Sequence, residues 1–166
     1  MLAFSAMLTA LSLALLTVAT LAPSGRMGLT AAAGLFPAAA VVSYGLPAGV
    51  LCYGGTAILA LLLLTDKGLA VLYLLFFGLY PLVKGGVERM RRLPLELLFK
   101  LLFFNGVFSL FLFGFSALLL SLMPWEGLPV GGLYLAGNVV FLIYDFGFSK
   151  LICFYRERVD RVLRKT

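Results

Sequence analysis

Between Met1 and Thr65 a single side chain, Arg26, carries a charge. A stretch of that length cannot present a polar surface to water, so whatever it folds into must be solvated by something apolar. The rest of the chain does little to change this. Over 166 residues it is 63% hydrophobic and 12% charged, with no histidine and a mean hydropathy of +1.10, whereas soluble domains carry roughly 25% charged residues. A bilayer is the fitting solvent. One crossing consumes about 20 apolar residues, which leaves room for six helices and almost nothing beside them. The fold predicted is therefore all-α and integral to the membrane, a single bundle of six transmembrane helices over residues 1–155 followed by a basic tail over 156–166. A separate soluble catalytic or nucleic-acid-reading domain is excluded.

The spans follow from turn residues. The run from Leu2 to Ala22 lacks the basic start of a signal peptide, and equally apolar sequence follows it, so it reads as the first span. Pro23-Ser24-Gly25-Arg26 ends it. A second span is expected from Leu29 to Tyr44, a third from Ala48 to Leu64 after the minimal turn Gly45-Leu46-Pro47, and a fourth from Leu69 to Val83. Lys84 to Pro94 reads as the one strongly charged internal loop. The fifth span runs from Leu95 to Met123, Pro124-Trp125-Glu126-Gly127 turns the chain, and the sixth extends from Val130 to Tyr155.

Six crossings put both termini on one side, and the distribution of basic residues chooses that side as cytoplasmic. The inner side or inner helix ends then receive Lys84, Arg89, Arg91, Arg92, Lys100, Lys150, Arg156, Arg158, Arg161, Arg164 and Lys165, against Arg26 and Lys67 outside. Trp125 and Tyr134 fall at the outer boundary, and Tyr44, Tyr80 and Tyr155 at the inner one. The basic tail reads as an anchor to anionic lipid; it has neither the aromatic interleaving nor the folded module that nucleic-acid binding would call for.

Small residues crowd the first half of the chain and bulk crowds the second. Of 15 phenylalanines only Phe4 and Phe36 precede residue 70. In lipid, helices associate through close contact between small-residue faces, so spans one to three are expected to pack backbone to backbone. Ala6, Ala10 and Ala14 recur at i, i+4 and i+8 and draw a smooth stripe down the first helix. That stripe can pack against the protein's own second or third span, or it can serve as a docking face for another membrane protein.

Polar groups held at depth are expensive and are the default functional candidates. Glu96 and Lys100 stand one turn apart and can pair, or Lys100 can reach the interface. Asp145 lies about ten residues, or about 15 Å, from the inner end of its helix, where Lys100 or Lys150 can neutralise it or where it can hold a proton or an ion. Asn105, Tyr134 and Asn138 can line one cavity and orient a small polar ligand, or they can bond across helices. Catalysis finds no support. Histidine and paired intramembrane carboxylates are absent, and no nucleophile elbow or phosphate-binding loop occurs. Cys52 and Cys153 do not have metal-ligand spacing, and no cofactor is implied.

A six-helix chain with Ala6, Ala10 and Ala14 in its first helix, then Pro37, Gly45, Gly49 and Gly54 through the second and third, resembles the substrate-binding (S) components of energy-coupling factor transporters. The resemblance implies capture of a vitamin-like small molecule from outside. It also implies docking, through Ala6, Ala10 and Ala14, on a transmembrane coupling subunit driven by ATPases. The ligand would then lie near Arg26, Asn105, Trp125, Tyr134 and Asn138. A scaffold of an envelope-building complex, binding no small molecule, is the alternative of a different class.

Overall fold

The computed structural model describes residues 1–88, 92–115 and 129–160, with helices and short turns and no strand among them. Six helices are long and apolar enough to cross a membrane: α1 Leu2–Leu21, α2 Arg26–Tyr44, α3 Leu46–Leu63, α4 Lys67–Val87, α5 Pro94–Gly114 and α6 Val130–Arg158. This is the architecture of a multi-pass membrane protein. Each expected span is present, and the ends agree to within three residues except in the fourth and fifth. The fifth helix ends at Gly114, capped by Phe115, and its expected continuation to Met123, together with the Trp125 turn, lies outside the described residues. The fourth is longer than expected at both ends. Asp66 starts it early, its Oδ1 accepting from the amides of Gly68 at 2.9 Å and Leu69 at 3.3 Å, which satisfies two of the orphan donors of a helix N-terminus. At its far end it runs on to Val87, so Lys84 belongs to a helix and not to the charged loop.

Hydroxyl groups and small residues hold α1 to α3 together. Ser5, Leu8, Ser12, Leu16 and Ala19 form the buried face of α1. From that face Ser5 Oγ donates to the carbonyl of Ala48 at 3.3 Å and Thr9 Oγ1 reaches that of Cys52 at 3.4 Å. The buried partners are small: Ala33, Ala38, Ala40, Ala48, Cys52, Ala57 and Ala60. Gly49 marks one close approach, where a Cβ would stand 2.2 Å from Val41 Cγ2. Gly45 belongs to the turn, with φ +84°. Backbone-to-backbone packing of the first three spans, expected from composition, is what forms.

Two prolines explain the irregularities of α2 and α4. Pro37 has no N–H, so the carbonyl of Ala33 has no helical donor at i+4, and α2 breaks at Gly34 between Arg26–Ala33 and Leu35–Tyr44. Ser12 Oγ donates to that carbonyl at 3.1 Å. In α4, residues Tyr73–Phe77 form a π-turn in which the Gly78 amide bonds the Tyr73 carbonyl at 2.8 Å. The Leu74 carbonyl is thereby left over, and Tyr53 Oη donates to it at 2.9 Å. Pro81 likewise withholds a donor from Phe77. The Phe77 carbonyl faces Gly34, where a Cβ would come within 2.3 Å of its oxygen. Broken backbone is tolerated at membrane depth only where protein groups satisfy it, as Ser12 and Tyr53 do for the Ala33 and Leu74 carbonyls.

The two ends of the bundle differ. At one end Arg26 donates to the carbonyls of Ala22 at 3.1 Å and Thr20 at 3.2 Å and to Asp66 Oδ2 at 3.1 Å, clasping the α1–α2 turn to the α3–α4 turn. At the other end lie the Gly45 turn, the Phe4–Tyr44 ring contact and the 3.1 Å hydrogen bond between Ser43 and Tyr155.

Candidate functional site

Besides the hydroxyls that tie α1 to α3, two groups of polar side chains form in the aromatic-rich second half. The first joins α4, α5 and α6. Lys84 Nζ lies 2.6 Å from Asp145 Oδ1, 2.8 Å from Glu88 Oε1 and 2.7 Å from Ser149 Oγ. Two of its N–H donors go to Asp145 and Ser149, and Glu88 adds an ion-pair contact. Lys100 Nζ lies 3.2 Å from Asp145 Oδ2 and 3.0 Å from Glu88 Oε1. Tyr80 Oη donates to Asp145 Oδ1, and Ser149 Oγ donates to the Asp145 carbonyl at 2.7 Å. Two ammonium groups and two carboxylates thus meet with no net charge, which is the arrangement expected of ions taken out of water. The lysines are 2% and 6% exposed, whereas the Glu88 side chain, 44% exposed, forms the rim.

This group corrects three expectations. Lys84 is buried because its charge is cancelled by two carboxylates, one a turn away and one on another helix. Lys100 turns to Glu88 and Asp145 and not to Glu96, because these converge on the bundle interior. Tyr80 is fully buried with its hydroxyl on Asp145, so it is no interfacial belt residue. Of the two lysines open as partners of Asp145, Lys100 takes that part, while Lys150 sits 5.4 Å over the Phe146 ring.

Around the ions lies an aromatic wall. Phe76, in the π-turn, contacts Phe77, Tyr80, Phe103, Phe104, Phe141 and Tyr144 with ring centroids 4.9–6.1 Å apart. Tyr144 Oη is the buried side-chain polar atom that has no hydrogen-bond partner among the described residues. It stands next to Asp145 in sequence, in contact with Phe77 and Phe148.

The second group joins α5 and α6. Asn105 and Asn138 exchange reciprocal amide hydrogen bonds, each 3.0 Å. Each amide also donates to the carbonyl four residues back, Leu101 and Tyr134 respectively, at 2.8 Å. Ser109 Oγ lies 2.6 Å from Tyr134 Oη. Asn105, Tyr134 and Asn138, expected to share a site, are therefore brought together, and in this arrangement their hydrogen-bonding groups serve each other. Arg26 is engaged by Asp66 and two carbonyls at its own end of the bundle. Trp125 lies outside the described residues.

Sequence reasoning found Asp145, Lys100 and the amide pair but missed Lys84, Glu88, Tyr80 and Ser149. One signal was present: Tyr80, Lys84 and Glu88 recur at four-residue spacing, which places them on one helical face.

Ala6, Ala10 and Ala14 are all exposed, on the side of α1 opposite Ser5, Leu8, Ser12 and Leu16. Among the described residues, α1 packs against the protein's own α2 and α3 through the other face.

Compared with protein-family models, curated proteins and solved structures, the chain finds no match in any of the three.

Proposed function

We propose that this protein is the solute-binding subunit of a bacterial micronutrient uptake transporter. In this reading it sits in the cytoplasmic membrane with both ends in the cytoplasm and docks through α1 on a transmembrane coupling subunit served by ATPases. The observation that carries the proposal is the outward alanine face. Ala6, Ala10 and Ala14 leave a smooth exposed strip, and the bulkier apolar residues Met7, Leu11 and Val18 flank it on the surface. In lipid such strips are where a second helix approaches closely. The orientation rests on charge: the end bearing Arg92, Arg156 and Arg158 is the richer in arginine and lysine. Solute then enters from the end closed by the Arg26–Asp66 clasp, and Asn105, Tyr134 and Asn138 exchange their mutual hydrogen bonds for bonds to it. The chain itself performs no chemistry; energy comes from its partners.

The mutual satisfaction of Asn105, Tyr134 and Asn138 favours a second reading, in which these residues are interhelical glue and the protein is a non-transporting scaffold of an envelope complex. One experiment separates the two. The protein is purified in mild detergent, its co-purifying partners are identified, and its melting temperature is measured against a panel of vitamins and their precursors. The transporter reading expects an ATPase-linked membrane partner with the wild type, loss of that partner with Ala10→Leu/Ala14→Leu at unchanged monomer melting, and a rise of several degrees with one compound. Saturation at about 100 times Kd corresponds to about 2.7 kcal/mol. Absence of both the partner and the shift removes the transporter reading in favour of the scaffold. Unfolding of the double variant would show that the face is needed for the monomer itself.

A further inference from the structure

We infer that the groove between α2 and α6 holds one phospholipid with an anionic headgroup, bound stoichiometrically at the basic end of the bundle. The groove has a volume of about 220 Å³ and is lined by Ala38, Ala39, Val42, Leu151, Ile152 and Tyr155 among others. Two alanines on α2 make the recess; Leu151 and Ile152 on α6 make its far wall. It follows α2 from Leu35 to Val42, about 10 Å at the rise of a helix, and two residues of its α6 wall, Leu151 and Phe154, are exposed. That shape suits a length of acyl chain, which gains close van der Waals contact there in a solvent that offers no hydrophobic drive.

The two ends of the groove differ in chemistry, as a lipid does. The Leu35 end lies against the break in α2 and is apolar. The other end closes on the Ser43–Tyr155 hydrogen bond, a pair of hydroxyls next to the end of α2 at Tyr44, of the kind that can meet the ester groups of a phospholipid. Beyond Tyr155 the helix continues as the π-helical segment Tyr155–Asp160, and Arg156 and Arg158, within one turn of Tyr155, are exposed. Of the acidic neighbours, Glu157 is turned to Cys153 Sγ at 3.4 Å, and Asp160 follows Arg158 by two residues. Basic residues at the membrane surface attract anionic lipid, and the attraction adds residue by residue. An apolar channel ending in two hydroxyls, with two exposed arginines within one helical turn beyond them, matches, in order, an acyl chain, its ester region and a phosphate. The other available occupant of a shallow apolar groove, a helix of a second copy, would have no use for this polarity gradient.

The test is native mass spectrometry of the intact protein released from micelles holding equal amounts of dioleoyl phosphatidylglycerol and dioleoyl phosphatidylcholine. One phosphatidylglycerol retained per chain is expected. Arg156→Gln/Arg158→Gln, both on the surface, should lower the preference for phosphatidylglycerol about tenfold or more while leaving the melting temperature unchanged. Ala39→Leu, which fills the groove, should abolish the retained lipid; should that variant fail to fold, Leu151→Ala, which widens the outer wall, should weaken retention without affecting the core. Equal retention of the two lipids by the wild type, or a preference untouched by the arginine substitutions, overturns the proposal. A lipid-free dimer that Ala39→Leu dissociates also overturns it and assigns the groove to a second copy.

Discussion

Asp145→Asn is expected to destabilise the protein by about 3–5 kcal/mol, the cost of removing one partner from a buried ion pair. The carboxylate receives both lysines, at 2.6 and 3.2 Å, as well as the Tyr80 hydroxyl. Without its charge, two ammonium groups on different helices share Glu88 alone, and Lys84 is nearly sealed from solvent. An asparagine keeps the shape but turns an amide donor toward a cation, so the loss is electrostatic and not one of volume. The diagnostic is compensation. Lys84→Met/Asp145→Asn removes one charge of each sign and leaves the Lys100–Glu88 pair, so it should recover more than half of the loss seen in Asp145→Asn. Unfolding in mixed micelles with rising SDS measures both. An Asp145→Asn protein as stable as the wild type, or a double variant whose loss is the sum of the two singles, would show that the cluster does not act as one neutral unit.

The second large effect is steric. Gly34→Ala should cost about 1–3 kcal/mol, the usual range for an overpacked site, and should fall at its upper end. The added methyl would meet the Phe77 carbonyl oxygen at 2.3 Å and its carbon at 3.1 Å. A flexible side chain could swing aside; a backbone carbonyl in the π-turn of α4 cannot. The contrast is Gly54→Ala in α3, where nothing lies within 4 Å of the new Cβ, and where replacing glycine in a helix interior stabilises by up to about 1 kcal/mol. Equal effects of the two substitutions would mean that α2 and α4 do not cross at Gly34 as described.

The number and order of helices were legible because they depend only on the length of apolar runs and the turn residues between them. The small-residue packing of α1 to α3 was legible for a related reason, since composition alone decides how closely helices can approach in lipid. What could not be read was convergence. Lys84 looked like a loop residue because a lysine near Arg89, Arg91 and Arg92 is normally solvated, and only the arrival of Asp145 from residues far along the chain makes its burial affordable. The orientation of the alanine stripe was open for the same cause. Its spacing defines a face, but which face of α1 turns inward depends on where Ala48, Cys52 and Ala33 lie, and their carbonyls draw Ser5, Thr9 and Ser12. Among the candidate ligand residues, the four-residue spacing of Tyr134 and Asn138 placed them correctly on one face. That Asn105 would meet Asn138 amide to amide required the register of α5 against α6.

Solute capture through the proposed route requires an even number of membrane crossings with the Arg26–Asp66 end outside. In a background with Cys52 and Cys153 replaced by serine, single cysteines at Ser24 and at Arg92, both exposed, are treated in intact cells with a membrane-impermeant maleimide. The prediction is that Ser24→Cys reacts from outside and Arg92→Cys reacts only after the cells are opened. Labelling of Arg92→Cys in intact cells with Ser24→Cys protected would invert the molecule and move solute capture to the wrong side, and labelling of both from outside would break the six-helix topology itself.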